Sequence, residues 1–325
     1  MKKTARILAL GSYLPQKILT NEELEKMVDT TDEWIVTRTG IRERRIASAE
    51  ESCSFMGAEA ARKCGASLEN VDLILVATMT PDTLCPSTAA RIQAELGLNA
   101  PAVDIQAACS GYLYILSMAK AYVESGMARQ VLVVAVEKMS AFIDFTDRGS
   151  CILFGDGATS ALVGFEGPGL EIENVILGAD GSLGSLIEVP AGGSTLPASE
   201  ETVKSGGHFL KLSGKEVFKH AVRRMEEAAK ESLSRAGLTV DTLDWLVAHQ
   251  ANGRILDALV RSLEMDEEKV VNTLYKYGNT SASSVGIALD ELTRERPLSE
   301  GQRLLLVAFG GGLTWGAATL TWRST

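Results

Sequence analysis

Val71–Asp82 reads VDLILVATMTPD, and Leu243–Gly253 reads LDWLVAHQANG. Each carries an aspartate, then a run of aliphatic residues, then a polar turn, and Asp72 and Asp244 stand 172 positions apart. The same offset relates Arg129–Glu137 (RQVLVVAVE) to Gly301–Gly310 (GQRLLLVAFG), through Gln130 and Gln302. Aliphatic runs of this kind belong to strands buried on both faces. Two pairs at one offset point to a duplicated α/β unit. The boundary is expected near residue 170, after ALVGFEGPG, giving halves 1–170 and 171–325.

Working outward, strands are expected at Arg6–Ser12, Leu73–Thr78, Val103–Gln106, Val131–Val136, Ser160–Phe165, Ile172–Leu177, Trp245–His249, Leu304–Phe309 and Ala317–Thr321. Helices are expected at Ser52–Cys64, Ser87–Leu96, Ser110–Glu124, Lys215–Arg235, Arg254–Leu263 and Ser283–Arg294. The alternation implies α/β architecture. The Gly-, Ser- and Pro-rich stretch Gly181–Gly207 reads as a long surface loop.

The bulk numbers narrow the function classes. The 325 residues are 46% apolar, enough for a large core. The net charge of −10 argues against general nucleic-acid binding, which needs a basic footprint. The five cysteines, Cys53, Cys64, Cys85, Cys109 and Cys151, show no C-x-x-C spacing and lie far from the three histidines, so zinc is not expected. A reduced, cytoplasmic setting fits them. The start, MKKTARILALGSYLP, is too short in its apolar run for a signal segment and reads as a first strand. No stretch approaches the ~20 apolar residues of a membrane span.

Cys109 sits in DIQAACSGYLYILSMA, where a strand turns into an apolar helix. A free cysteine commonly packs as a small hydrophobe. At a helix mouth, unpaired N–H groups and the helix dipole favour thiolate instead. Adding the repeat offset to Cys109 gives Ser281, in YGNTSASSVGIALDEL, another small-residue turn before an apolar helix. If the halves pack about a pseudo-twofold axis, these turns face one another, and Cys109, His249 and Asn279 share one set of strand ends. Thiolate is a nucleophile that forms thioesters; neutral His and Asn are N–H donors able to hold an enolate oxygen. The turn FGGGLTWG, after Leu304–Phe309, lets backbone approach a substrate, and its N–H groups with that of Cys109 are suited to an oxyanion hole.

The motifs DIQAACSG, DRGSCILFGDGA, HQAN, GNTSA and AFGGGLTWG, in this order and covering almost the whole chain, resemble the β-ketoacyl-acyl-carrier-protein synthase III family of the thiolase-like superfamily. The resemblance implies a five-layered αβαβα fold built from two similar halves, a homodimer and no cofactor. It implies an acyltransferase that condenses an acyl-CoA with malonyl-acyl-carrier protein and initiates fatty acid biosynthesis. Cys109 resembles the acylated nucleophile, His249 and Asn279 the pair that holds the malonyl thioester oxygen, and Gly311 an oxyanion-hole donor. For CoA, Trp34 would stack on adenine, with Arg38 and Arg148 at the nucleotide end and Asn252 in the pantetheine tunnel. In isolation, TTDEWIVTRTGIRERR around Trp34 and Arg38 reads only as a capped helix with a solvated charge run.

Arg254 matches the family position that docks the carrier protein. Lys215, Lys219, Arg223 and Arg224, off the apolar stripe of the long helix, read equally as a solvated face or as further docking charges. Cys85 stands where many members carry a phenylalanine that reaches across the dimer to cap the acyl pocket, and the smaller side chain implies room for chains longer than acetyl. Thiolases would need a second, C-terminal cysteine, and none follows Cys151. Hydroxymethylglutaryl-CoA synthases would need a glutamate beside the AACSG cysteine. Condensing enzymes that prime polyketides share the trio and stay open. So does a Cys-His-Asn thioester hydrolase, which would not need malonate.

Overall fold

A computed structural model describes residues 3–325. Nine strands form the main sheet: β1 Arg6–Tyr13, β2 Leu73–Ala77, β3 Ala102–Ile105, β4 Val131–Glu137, β5 Gly157–Gly164, β6 Gly169–Ala179, β7 Trp245–Ala248, β8 Arg303–Gly310 and β9 Thr314–Arg323. Their order is β7-β8-β9-β6-β1-β5-β4-β2-β3. The pattern repeats: β2 runs parallel to β4 as β7 does to β8, and β4–β5–β1 and β8–β9–β6 are antiparallel. Among the described residues the half-sheets pair through Arg6↔Glu171 and Ile7↔Leu170, extended by the Ile172 N–H to Ala5 O. The second half replaces the β3 edge with a single parallel bridge, Leu246↔Val270.

The helices are α1 Asp32–Thr39, α2 Cys53–Arg62, α3 Thr88–Glu95, α4 Gly111–Ser125, α5 Gly214–Ala236, α6 Gly253–Leu263 and α7 Ser284–Glu295, with shorter turns between. Side chains of a strand alternate between its faces, and that alternation builds the layers. Val131, Val133 and Ala135 of β4, with Leu304, Leu306 and Ala308 of β8, pack on α4 and α7 in a central core. Their neighbours face outward: Leu132, Val134 and Val136 toward α2 and α3, Leu305, Val307 and Phe309 toward α5 and α6. The result is five layers, with α4 and α7 sandwiched between the half-sheets.

The expected strands and helices are all present, with ends shifted by a few residues. Two readings need correction. Gly181–Gly207 is not one loop: it folds into a 3-10 turn (Gly181–Leu186), a short strand (Ile187–Glu188, paired with Lys211–Leu212) and a helix capped by Ser199. The 172 offset also slips by one residue at the turns. Ala108 (φ +44°) and Ser281 (φ +51°) are the matching left-handed residues, each opening a 3-10 turn that leads into α4 or α7. Cys109 therefore corresponds to Ala282, not Ser281. Each left-handed non-glycine residue costs about 1–2 kcal/mol, a strain that marks both turns as sharply bent.

Candidate active site

The two turns meet at a cavity of about 1040 Å³. Cys109, His249, Asn279 and Gly311 line it together, as do Arg38, Asn252, Arg254, Lys215 and Lys219. Trp34, Arg148, Cys85 and Arg223 do not line it, although Gly149 beside Arg148 does.

Cys109 is aimed by the turn from β3 into α4. Ser110 Oγ lies 2.8 Å from Ala107 O and 2.7 Å from Thr314 Oγ1, and Thr314 Oγ1 lies 2.9 Å from both Ala107 O and Gly311 O. This mesh ties the cysteine turn to the glycine turn. A Cβ at position 310 would lie 2.6 Å from Cys109 N, so only glycine fits there. The expected thiolate is not the resting form. Burial pushes the thiol up to about 12, and the Glu137 charge adds to this against the Ser281 hydroxyl and a backbone N–H. At rest, burial of the sulfur outweighs the helix mouth, although Cys109 is half-buried and lines the cavity.

His249 ends β7 and is buried. Its Nδ1 lies 2.6 Å from Ser284 Oγ, and Ser284 Oγ also accepts from the Gln250 N–H at 3.4 Å. When the serine hydroxyl donates to Nδ1, the ring proton sits on Nε2. Burial lowers the imidazole to about 4, so it is neutral at ordinary pH. Gln250, of the same HQAN motif, is a brace: Oε1 accepts from the Thr273 and Leu274 N–H groups, and Nε2 donates to Ala248 O and Val271 O.

Asn279 Oδ1 accepts from the Ser281 N–H at 2.8 Å, which leaves its NH2 as the free end. Its backbone is fixed by the FGDG stretch: the Asn279 N–H donates to Leu153 O, and the Gly155 N–H to Asn279 O. A Cβ on Gly155 would sit 2.3 Å from Tyr277 O, so this approach also requires glycine. Asp156 is a structural anchor, accepting from Ala47 N, Ser140 N and Ser140 Oγ.

Toward the mouth, Thr31 caps α1 by accepting from the Trp34 N–H. The guanidinium carbons of Arg148 and Arg38 lie 4.8 and 5.4 Å from the Trp34 ring centroid. Asn252 caps α6, its Oδ1 accepting from the Arg254 N–H. Lys219 pairs with Glu216, and Arg223 and Arg224 with Glu227. Lys215 and Arg254 have no ion-pair partner among the described residues. Cys85 is exposed and lies outside the cavity of its own chain. No group of His, Cys, Asp and Glu among the described residues is arranged to hold a metal, and no helix is long and apolar enough to cross a membrane.

Sequence reading named Ser281 only as the repeat match of Cys109, not as its hydrogen-bond partner, and missed Ser284, Thr314 and Glu137. Glu137 ends the RQVLVVAVE strand, and no glutamate flanks AACSG in sequence; in space Ser281 Oγ bridges the two, 3.1 Å from Glu137 Oε1 and 3.4 Å from Cys109 Sγ.

Residues 103–181 match the family model for 3-oxoacyl-[acyl-carrier-protein] synthase III, and residues 233–322 match its C-terminal model. A β-ketoacyl-[acyl-carrier-protein] synthase III of Chlamydia pneumoniae is 57% identical, over 98% of this chain and 97% of that one. The crystal structure of such a synthase from Thermus thermophilus superposes with a TM-score of 0.90 at 43% identity, over 98% of this chain and 100% of the other. The priming β-ketosynthase of the R1128 polyketide pathway superposes with a TM-score of 0.89 at 39% identity, over 100% of this chain and 98% of the other. The matching models span both turns, and the identity runs nearly the full length: this chain belongs to the β-ketoacyl-[acyl-carrier-protein] synthase III family of thiolase-fold condensing enzymes.

Proposed function

We propose that Cys109, His249 and Asn279 carry out a decarboxylative Claisen condensation between an acyl-CoA and malonyl-[acyl-carrier protein], the priming step of fatty acid synthesis. Cys109 attacks the acyl-CoA thioester while the N–H groups of Cys109 and Gly311 hold the oxyanion, and CoA leaves. Malonyl-carrier protein then enters, and His249 Nε2–H and Asn279 Nδ2–H hold its thioester oxygen. Loss of carbon dioxide leaves an enolate on that oxygen. Its carbon attacks the acyl-cysteine, and the β-ketoacyl-carrier protein departs. Neutral donors suit this step, because they stabilise the enolate without handing it a full proton. The observation that carries the reading is the convergence of Cys109, His249, Asn279 and Gly311 on one cavity.

For CoA, the reading puts adenine against Trp34, parting it from Arg148, with Arg38 at the nucleotide end and Asn252 along the pantetheine arm. For the carrier protein it uses Arg254 and Lys215, cations at the mouth without ion-pair partners. Lys219 and Arg223, already neutralised by Glu216 and Glu227, contribute less. The enzyme works as a cytoplasmic homodimer, with 1–170 and 171–325 as its halves. Cys85, exposed in its own chain, reaches only a partner's acyl pocket and leaves room there for chains longer than acetyl. Equal exclusion of butyryl- and octanoyl-CoA in a loading assay would remove that last point. A second reading, priming of a polyketide, is favoured by the similarity to the R1128 enzyme and differs only in the downstream pathway.

Intact-protein mass spectrometry after mixing with acetyl- to decanoyl-CoA tests the scheme. A covalent acyl adduct is expected, absent in Cys109→Ser and discharged by malonyl-carrier protein but not by water. An adduct that water clears without malonate would favour a thioester hydrolase. No adduct from any acyl-CoA would refute the nucleophile.

A further inference from the structure

Glu137 closes β4 and is fully buried, yet the condensation described above gives it no task. The Ser281 hydroxyl lies within donating reach of both Glu137 Oε1, at 3.1 Å, and the Cys109 sulfur, at 3.4 Å; when it turns to Glu137, its oxygen is left to accept from the thiol. The other donors to the carboxyl are Thr80 Oγ1 at 2.6 Å, Thr78 Oγ1 at 3.3 Å and the Met79 N–H at 3.1 and 3.2 Å. No lysine or arginine among the described residues forms an ion pair with it. The titratable groups facing it are Cys109 and Cys53, the latter bonded to Thr80, and burial holds both as thiols. A buried carboxyl with no cation beside it, one hydroxyl away from a thiol that must lose its proton, is placed for proton exchange.

We propose that Glu137 takes up the Cys109 proton through Ser281 during acylation, keeps it while the acyl-enzyme lasts, and returns it in the condensation. This rests on the reading of Cys109 as the acylated nucleophile. As sulfur attacks the acyl-CoA carbonyl, the S–H proton passes to Ser281 Oγ and the Ser281 O–H proton passes to Glu137. The S–C bond forms, the bond to CoA breaks, and the CoA thiolate takes a proton from water. When the enolate later attacks the acyl-cysteine, the S–C bond breaks and the cysteine is expelled as thiolate. Glu137 then reprotonates it by the same route, restoring carboxylate and thiol. Glu137 never touches substrate; it positions the proton. Burial brings its carboxyl up to about 7, where it can both accept and release a proton near neutral pH.

The opposing expectation is distinct. The Glu137 charge by itself raises the thiol pKa. If it acted only as a nearby charge, Glu137→Gln would speed acylation. The test is single-turnover acylation by acetyl-CoA, followed by mass spectrometry from pH 5.5 to 9, on wild type, Glu137→Gln, Glu137→Asp and Ser281→Ala, with thermal melting as the check on folding. The wild-type rate is expected to rise through an apparent pKa near 7. Glu137→Gln and Ser281→Ala should acylate at least tenfold more slowly at pH 7 and lose that step, with Glu137→Asp partly restoring it. Folded variants that acylate as fast as wild type with the same pH profile would overturn the relay while leaving the nucleophile in place. If Glu137→Gln does not fold, Ser281→Ala decides alone. A wild type that takes no acyl group would overturn both readings.

Discussion

The turn Ala108–Ser110 and the turn Ser281–Ser283 share one backbone: a left-handed residue, a 3-10 turn, then a helix of the central layer. They differ in what hangs on it. The first carries a thiol, with the glycine turn of β8 pressed against it. The second carries Ala282 at the matching position, flanked by Asn279 and by Ser281, whose hydroxyl reaches back to the thiol. Duplication thus supplied the frame twice, and divergence divided the chemistry. On the proposed reading, the first-half turn handles acyl transfer, and the second-half turn, with His249, handles the malonyl oxygen.

The largest way to break this division is Cys109→Ser. Acyl transfer should fall by at least about 10³-fold, because an alkoxide is far harder to form than a thiolate at the same site. Intact mass measured over time checks it. Two glycine substitutions sharpen the comparison. Gly310→Ala pushes a methyl against Cys109 N, and Gly155→Ala pushes one against Tyr277 O beside Asn279. The first should slow acylation and the second decarboxylation, each by about 10–10²-fold, since small misplacements at a reacting centre cost this much. Separate assays of acyl loading and carbon dioxide release would distinguish them.

Ser284→Ala should cost about tenfold in decarboxylation and leave acylation alone, because it frees His249 to put its proton on Nδ1. The smallest effect is on stability. His249, at about 4 against an ordinary 6.5, adds no penalty above pH 6.5 and a growing one as pH falls toward 4. Glu137, at about 7 against 4.5, adds none below pH 4.5 and a growing one as pH rises toward 7. Between pH 4.5 and 6.5 the two slopes, about 1.4 kcal/mol per pH unit each, oppose one another. His249→Asn should therefore make denaturant stability rise more steeply, or fall less, as pH falls through this window than that of wild type.

Much of the fold was legible because the aliphatic runs of β2, β4, β7 and β8 are long, and β2 and β4 recur in β7 and β8 at one spacing. That Cys109, His249 and Asn279 would line one cavity was legible because each is a reactive or donor side chain in a turn; Cys109 and His249 lie just past strands as expected, but Asn279 follows the short helix Leu274–Tyr277 instead. The one-residue slip at the turns was hidden, since Cys109 and Ser281 keep the strand offset although their backbones do not correspond. The roles of Glu137, Ser281 and Ser284 were hidden because their partners lie in the other half or on another layer. Glu137 and Ser281 are 144 residues apart. A helix mouth can be read from a pattern, but how deeply the sulfur is buried depends on how α4, α7 and the half-sheets close.

The division of labour between the turns is tested most directly by a pulse and chase on Asn279→Ala. The variant is loaded with acetyl-CoA, freed of excess, then mixed with malonyl-carrier protein while its mass is followed. The account predicts loading within about threefold of wild type and an acyl adduct that malonyl-carrier protein fails to discharge, with loss of about 10²–10³-fold in that step. A variant whose loading collapses along with its discharge would contradict it.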